Sequence, residues 1–210
     1  MSLNQPSAAV VEWASAGRAT DEPSEGSESG DLEVVTTFEN GTMVAVIDGL
    51  GHGAEAALAA RTAAKVMEEH FREPAELLVQ RCHGALRKTR GVVMGLACFN
   101  ATASSMTWIG VGNIQGVLFR WSPGRGAVRQ DLVSRGGIVG YQLPPLRSST
   151  FSISFGDTLI LTTDGIRREF AADLNLEKPP KEIAEFVLDQ HSKKNDDALV
   201  VVARYVGETP

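Results

Sequence analysis

Apolar positions in this chain fall mostly in short runs, and the runs predict strands. Residues 8–16 (AAVVEWASA) form a first short run, followed by a polar, Gly-, Ser- and Glu-rich connection over 17–30. Residues 31–39 (DLEVVTTFE) and 42–48 (TMVAVID) are two further runs joined by Asn40-Gly41, a pair that tolerates positive φ and so predicts a β-hairpin. After GLGHG, the stretch AEAALAARTAAKVMEEHF predicts a helix from its composition and from the apolar spacing of Ala57, Leu58, Val66 and Met67. A second helix is expected from Pro74 to about Arg90, with Leu77, Leu78, Cys82 and Leu86 as its stripe. Strand-like runs then return: VVMGLACFNA, SMTWIGV and GVLFRW, followed by a turn region GRGAVRQ and a Gly- and Pro-containing loop over 134–147. STFSISF and DTLILTT come next, bridged by a Gly156-Asp157 corner. An amphipathic helix over 181–192 and a final strand, DALVVVARYV, complete the pattern.

This order lacks the βαβα alternation of a parallel doubly wound sheet. It predicts an α+β fold in which two antiparallel sheets pack together with helices outside. The 210 residues, 43% hydrophobic and 22% charged, suit one globular domain spanning 1–210. A net charge of −6 argues against nucleic acid as the main partner, since binding it rests on neutralising phosphates with Lys and Arg. It argues in the same direction, more weakly, for an anionic membrane. Cys82 and Cys98 stand outside any metal-ligand spacing and read as reduced core thiols. The N-terminus lacks the pattern of a secretion signal, and no apolar stretch reaches the roughly 18 residues a membrane helix needs. A cytoplasmic, monomeric protein is the expectation.

Three aspartates end or open long apolar runs: Asp48 after MVAVI, Asp164 after TLILTT, and Asp196 before the last run. Asp31 opens the first strand of the hairpin. Each alone is readily structural, because Asp-Gly is a common turn pair and strand-end acids are usually solvated. Their repetition asks for a joint explanation. Two like charges 4 Å apart repel by roughly 4 kcal/mol at an effective dielectric of 20, so converging carboxylates need a cation. Oxygen ligands without His or Cys select Mg²⁺ or Mn²⁺, and a pair of such ions can activate water and clamp a phosphoryl group.

VIDGLGHG (46–53), LTTDGI (161–166) and NDDALVVVAR (195–204), with SGD (29–31) ahead of them, resemble the metal-dependent protein phosphatase (PPM) family. The resemblance is to its small bacterial SpoIIE/RsbX-like branch and spans almost the whole chain. It implies a four-layer αββα sandwich and serine/threonine protein phosphatase activity with two Mn²⁺ or Mg²⁺ ions. It implies that Asp48 bridges both ions, the Gly49 carbonyl binds one, Asp164 and Asp196 complete the other shell, and Asp31 acts through metal-bound water. The implied substrates are phosphorylated RsbR/RsbS-like stressosome proteins. The pattern departs at Gly112-Asn113, where many members carry Gly-Asp and a third metal, and at Leu199, where Thr is common. The phosphate-binding arginine of larger members has Arg18 as its nearest candidate.

His52 has two readings, a general acid for the leaving Ser or Thr oxygen, or a structural hydrogen bond near the start of the helix. His70, His83 and His191 read as packing or surface residues. Two rival functions fit parts of the sequence. Residues 49–54 formally satisfy a dinucleotide-binding glycine pattern, but Asp48 would sit beside the pyrophosphate and no second strand supplies a ribose-binding acid. A catalytically inactive phosphatase fold that only binds a signalling partner has no need of four clustered acids.

Overall fold

The structure, a computed structural model, describes residues 10–19, 28–122 and 126–207. Much of the polar connection at 17–30 therefore lies outside the described residues.

Strand β1 (Val11–Arg18) is followed by the hairpin β2 (Asp31–Phe38) and β3 (Gly41–Gly49). Helices α1 (Ala54–His70) and α2 (Ala75–Ala85) lead into β4 (Val92–Asn100), β5 (Ser105–Val111), β6 (Gln115–Ser122) and β7 (Gly126–Leu132). The short β8 (Ser134–Arg135) and β9 (Ser149–Ser152) precede β10 (Thr158–Thr162), a 3₁₀ turn (Arg168–Ala172), α3 (Pro180–His191) and β11 (Ala198–Tyr205). One sheet has the order β1-β11-β10-β6-β7 and the other β2-β3-β4-β5-β8, with β9 pairing on β5. All pairings are antiparallel except the two-residue β5–β8 contact.

The central strands β3, β4, β10 and β11 are apolar along nearly their whole length because both their faces are covered. In β3, Val44 and Val46 enter the core between the sheets, while Met43, Ala45 and Ile47 alternate to the other side and meet α1 and α2. In β11, Leu199, Val201 and Ala203 face inward, and Ala198, Val200 and Val202 pack under α3 with Ile183, Ala184 and Val187. Three apolar layers thus separate four layers of secondary structure, giving the expected αββα sandwich. Cys82 is a free buried thiol and Cys98 a free, partly buried one.

Several local expectations shift. The hairpin's two loop residues are Glu39-Asn40, since Phe38 already pairs with Gly41; Asn40 alone takes positive φ, at 60°. Helix α1 buries an alanine stripe (Ala56, Ala59, Ala60, Ala63) with Met67, and Leu58 faces solvent. The small side chains let the helix lie close on β2 and β3. Helix α2 ends at Ala85, short of Arg90, because Leu86 drops into the core while Gly91 takes positive φ to start the next strand. The expected turn region GRGAVRQ contains strand β7, whose polar, exposed residues suit an edge that pairs only with β6.

Trp108 lies in the core between the sheets, fully buried, and its indole N–H donates to the Val133 carbonyl at 3.0 Å. Trp108→Ala should lower stability by about 3–5 kcal/mol. A urea titration followed by circular dichroism would measure this.

Candidate active site

The acids converge because the two sheets end together. Register places Asp31 directly opposite Asp48 across the β2–β3 hairpin. Asp164 follows β10, and Asp196-Asp197 precede β11, the strand paired with β10 in the other sheet. Asp48, His52, Asp164, Asp196 and Asp197 line one cleft of about 670 Å³ at this end of the sandwich. Asp31 lies behind it, close enough to interact electrostatically with Asp48, Asp164, Asp196 and Asp197.

Both Asp-Gly pairs owe their glycine to a close backbone approach. Neither Gly49 nor Gly165 has positive φ. A Cβ on Gly49 would collide with the backbone of Ala56 in α1, and one on Gly165 with the carbonyl of Asp197. The glycines let a second element press directly against each acid-bearing strand end. The Gly49 N–H donates to the Gly30 carbonyl at 2.9 Å, tying together the loops that carry Asp31 and Asp48.

Hydrogen bonds hold most of the acids in place. Thr163 is buried and donates its hydroxyl to Asp31 Oδ2 at 2.7 Å, while accepting from the Leu199 N–H at 2.9 Å. Asp197 Oδ2 accepts from the Gly30 N–H at 2.7 Å. Asn113 donates its side-chain amide to Asp164 Oδ2 at 2.7 Å. Asp48 differs: its carboxylate accepts no hydrogen bond from any described residue, and its four charged neighbours are all acids. The contrast with Asp157 is instructive. That buried acid accepts backbone N–H groups from Trp121 and Ser154, both at 2.9 Å, and needs nothing further.

Burial, reinforced by the neighbouring acids, pushes the Asp48 carboxyl up to about 8. Burial also raises Asp31 to about 7, against the opposing hydrogen bond from Thr163. Asp196 is raised by burial and Asp164, with Lys193 opposing. These directions describe a cluster short of positive charge. Among the described residues no three acidic, His or Cys side chains form a ready-made ligand cage. Mg²⁺ does not need one, because it keeps several waters and takes one or two carboxylates from the protein. The residues present therefore fit a hard divalent cation.

Sequence reasoning named Asp31, Asp48, Gly49, His52, Asp164 and Asp196, and the structure gathers all of them at one end of the sandwich. It missed Asp197 and Thr163. Asp197 sits beside a stronger candidate, and the one signal for Thr163 was a polar pair, Thr162-Thr163, ending an apolar strand. Arg18 lies apart from the cleft lining and donates to the Lys193 carbonyl at 2.8 Å.

Each raised carboxyl binds its proton more tightly folded than unfolded, where the reference value is 3.8. Their contribution to stability is complete below about pH 4 and is lost as pH rises through about 7 and 8. Chelator-treated protein should therefore melt at a lower temperature at pH 8 than at pH 5, and Mg²⁺ or Mn²⁺ should raise the melting temperature most at pH 8. Differential scanning fluorimetry across this range tests both. Separately, Gly165→Ala should destabilise by several kcal/mol, because the collision is with backbone that cannot rotate away.

Residues 39–206 match the family described as Stage II sporulation protein E (SpoIIE). The chain is 22% identical over 176 residues to the phosphoserine phosphatase RsbX of Bacillus subtilis (strain 168), an alignment covering 83% of this chain and 86% of that one. A chain solved in work on the bacterial stressosome, "a modular system that has been adapted to control secondary messenger signaling", superposes with a TM-score of 0.82. It is 29% identical and is covered to 99%, against 92% of this chain. The crystal structure of RsbX in complex with magnesium superposes with a TM-score of 0.78 at 20% identity, covering 92% of this chain and 94% of that one. Among the described residues, no helix is long and apolar enough to cross a membrane. The αββα sandwich, the acids at its end and these likenesses agree, and the chain belongs to the SpoIIE family of metal-dependent, PP2C-type protein phosphatases, in its RsbX-like branch.

Proposed function

We propose that the chain acts as one phosphatase domain that hydrolyses phosphoserine and phosphothreonine in proteins, at the cleft bounded by Asp48, Asp164 and Asp196. The observation that carries this reading is Asp48: a carboxylate set among four other acids, with no hydrogen-bond donor among the described residues, suits the binding of cations. Asp48, the Gly49 carbonyl, Asp164 and Asp196 would hold two Mn²⁺ or Mg²⁺ ions, with Asp31 close enough to add its charge to the site. When bound, such ions supply a water acidic enough to attack phosphorus and positive charge on the phosphoryl oxygens.

The protein's own groups do the positioning. Asn113 fixes the rotamer of Asp164, Thr163 fixes that of Asp31, and the Gly30 N–H fixes that of Asp197. Asp197 is the remaining acid of the cleft, and its tie to Gly30 links the two sheets beside the reacting centre. His52 is exposed on the cleft wall and makes no hydrogen bond to any described residue, which favours the general acid of its two readings. From there it can pass a proton to the leaving Ser or Thr oxygen.

The physiological substrates we propose are RsbR/RsbS-like stressosome phosphoproteins. RsbX of Bacillus subtilis is a phosphoserine phosphatase of this branch, and the stressosome-related chain is the most similar of the three relatives described.

Asp48→Ala should abolish Mn²⁺-dependent phosphate release from a phosphoserine peptide while leaving the far-ultraviolet circular dichroism unchanged. Persistent turnover in that variant would refute the assignment. His52→Gln should lower kcat on the phosphoserine peptide by roughly 10²–10⁴-fold. On p-nitrophenyl phosphate the loss should be much smaller, since that leaving group departs as a stable anion without help. Equal losses on both substrates would remove His52 from the proton-transfer role.

A further inference from the structure

The acid cleft does not end at the acids. Asn113, whose amide holds Asp164, also lines two neighbouring clefts of about 380 and 420 Å³. Asp164 lines the larger of these as well, so the reacting centre opens directly into it. Arg168 lines both, joined in the larger by Arg167 and Lys193 and in the smaller by Arg129.

The charge of this track opposes that of the molecule as a whole, which is −6. Arg129 is paired with Asp131 at 2.7 Å, and Asp164 and Glu169 contribute two opposing charges, so the four cations of the track outnumber its acids by one. Lys193 also faces Asp196. Arg167 and Arg168 are exposed and form no ion pair with any described residue. The two arginines have a firm base. The Arg167 N–H donates to the His191 carbonyl at 2.8 Å, and Phe170 and Ala171 anchor the following turn in the core under α3. Arg168 is four residues beyond Asp164, so their Cα atoms lie within about 14 Å.

We propose that Arg167 and Arg168 form a specificity site that binds carboxylate side chains flanking the phosphorylated residue of a protein substrate. The proposal rests on the phosphatase reading of the acid cleft and adds to it which phosphopeptides are preferred. An extended peptide advances about 3.3 Å per residue, so Glu or Asp roughly two to four positions from the phosphoresidue spans the distance. Guanidinium groups match carboxylates through paired N–H donors, and their mounting on a packed turn lowers the ordering that binding requires. The same groups offset the repulsion that an acidic segment meets from the rest of this protein.

The test compares kcat/KM, with Mn²⁺ present, for two phosphoserine peptides that differ only in Glu or Gln at positions two to four on both sides. Wild-type protein should prefer the Glu peptide by roughly fivefold at low salt, the size expected for two exposed ion pairs. The preference should fall as salt rises from about 0.05 to about 0.3 M. Arg167→Ala/Arg168→Ala should bring the ratio close to one through KM, and Arg168→Glu should invert it. Equal rates for the two peptides with wild-type protein would overturn the proposal, as would variants that slow both peptides by the same factor. Turnover of p-nitrophenyl phosphate by wild type alongside equal peptide rates overturns only the specificity site. Absence of turnover of both peptides and of p-nitrophenyl phosphate overturns the phosphatase reading, and this proposal with it.

Discussion

Electrostatic repulsion among partly buried aspartates is the constraint around which this molecule is arranged. Five carboxylates face one another where two sheets end together, and burial strengthens their mutual repulsion. Such an arrangement persists only on a scaffold stable enough to impose it. The three apolar layers of the sandwich supply that stability, and strands covered on both faces leave their ends little freedom to splay.

The scaffold also decides which acids remain without a local partner. Asp157 is buried and fully answered by backbone N–H groups, so its role ends with the corner it holds. Among the described residues, Asp31, Asp164 and Asp197 each accept a strong hydrogen bond that sets their orientation. Asp48 accepts none from the described residues. This gradation runs from satisfied structural acid through oriented acid to unanswered acid, and it marks the centre of the site more sharply than any single distance. Close backbone packing at Gly49 and Gly165 extends the same logic, since any side chain there would push the acid-bearing ends apart.

Most of the architecture was legible in the sequence because the central strands are long apolar runs and the strand order leaves few alternatives. Misplaced details share a cause: local pattern cannot see what packs opposite. Leu58 belongs to the apolar spacing that predicts α1, yet it faces solvent and alanines fill the interface because α1 lies too close to its sheet for larger side chains. Strand β7 was missed because an exposed edge needs no apolar alternation. Among site residues, the acids at strand ends were legible through their repeated context. Thr163 was not, because its part depends on a partner 132 residues away, and Asn113 was singled out by its place in the pattern without its bond to Asp164, 51 residues on, being visible. Asp197 was hidden by its neighbour, as sequence alone does not say which of two adjacent acids turns toward Gly30.

The central claim is that cations answer the unpartnered charge of Asp48. Its most direct test is a crystal structure grown with Mn²⁺, with anomalous difference density collected at the manganese edge. The account predicts two peaks in the cleft, both adjoining Asp48, one toward Gly49 and one toward Asp164 and Asp196. Density confined to other parts of the surface, or a well-ordered cleft that remains metal-free at saturating Mn²⁺, would contradict it.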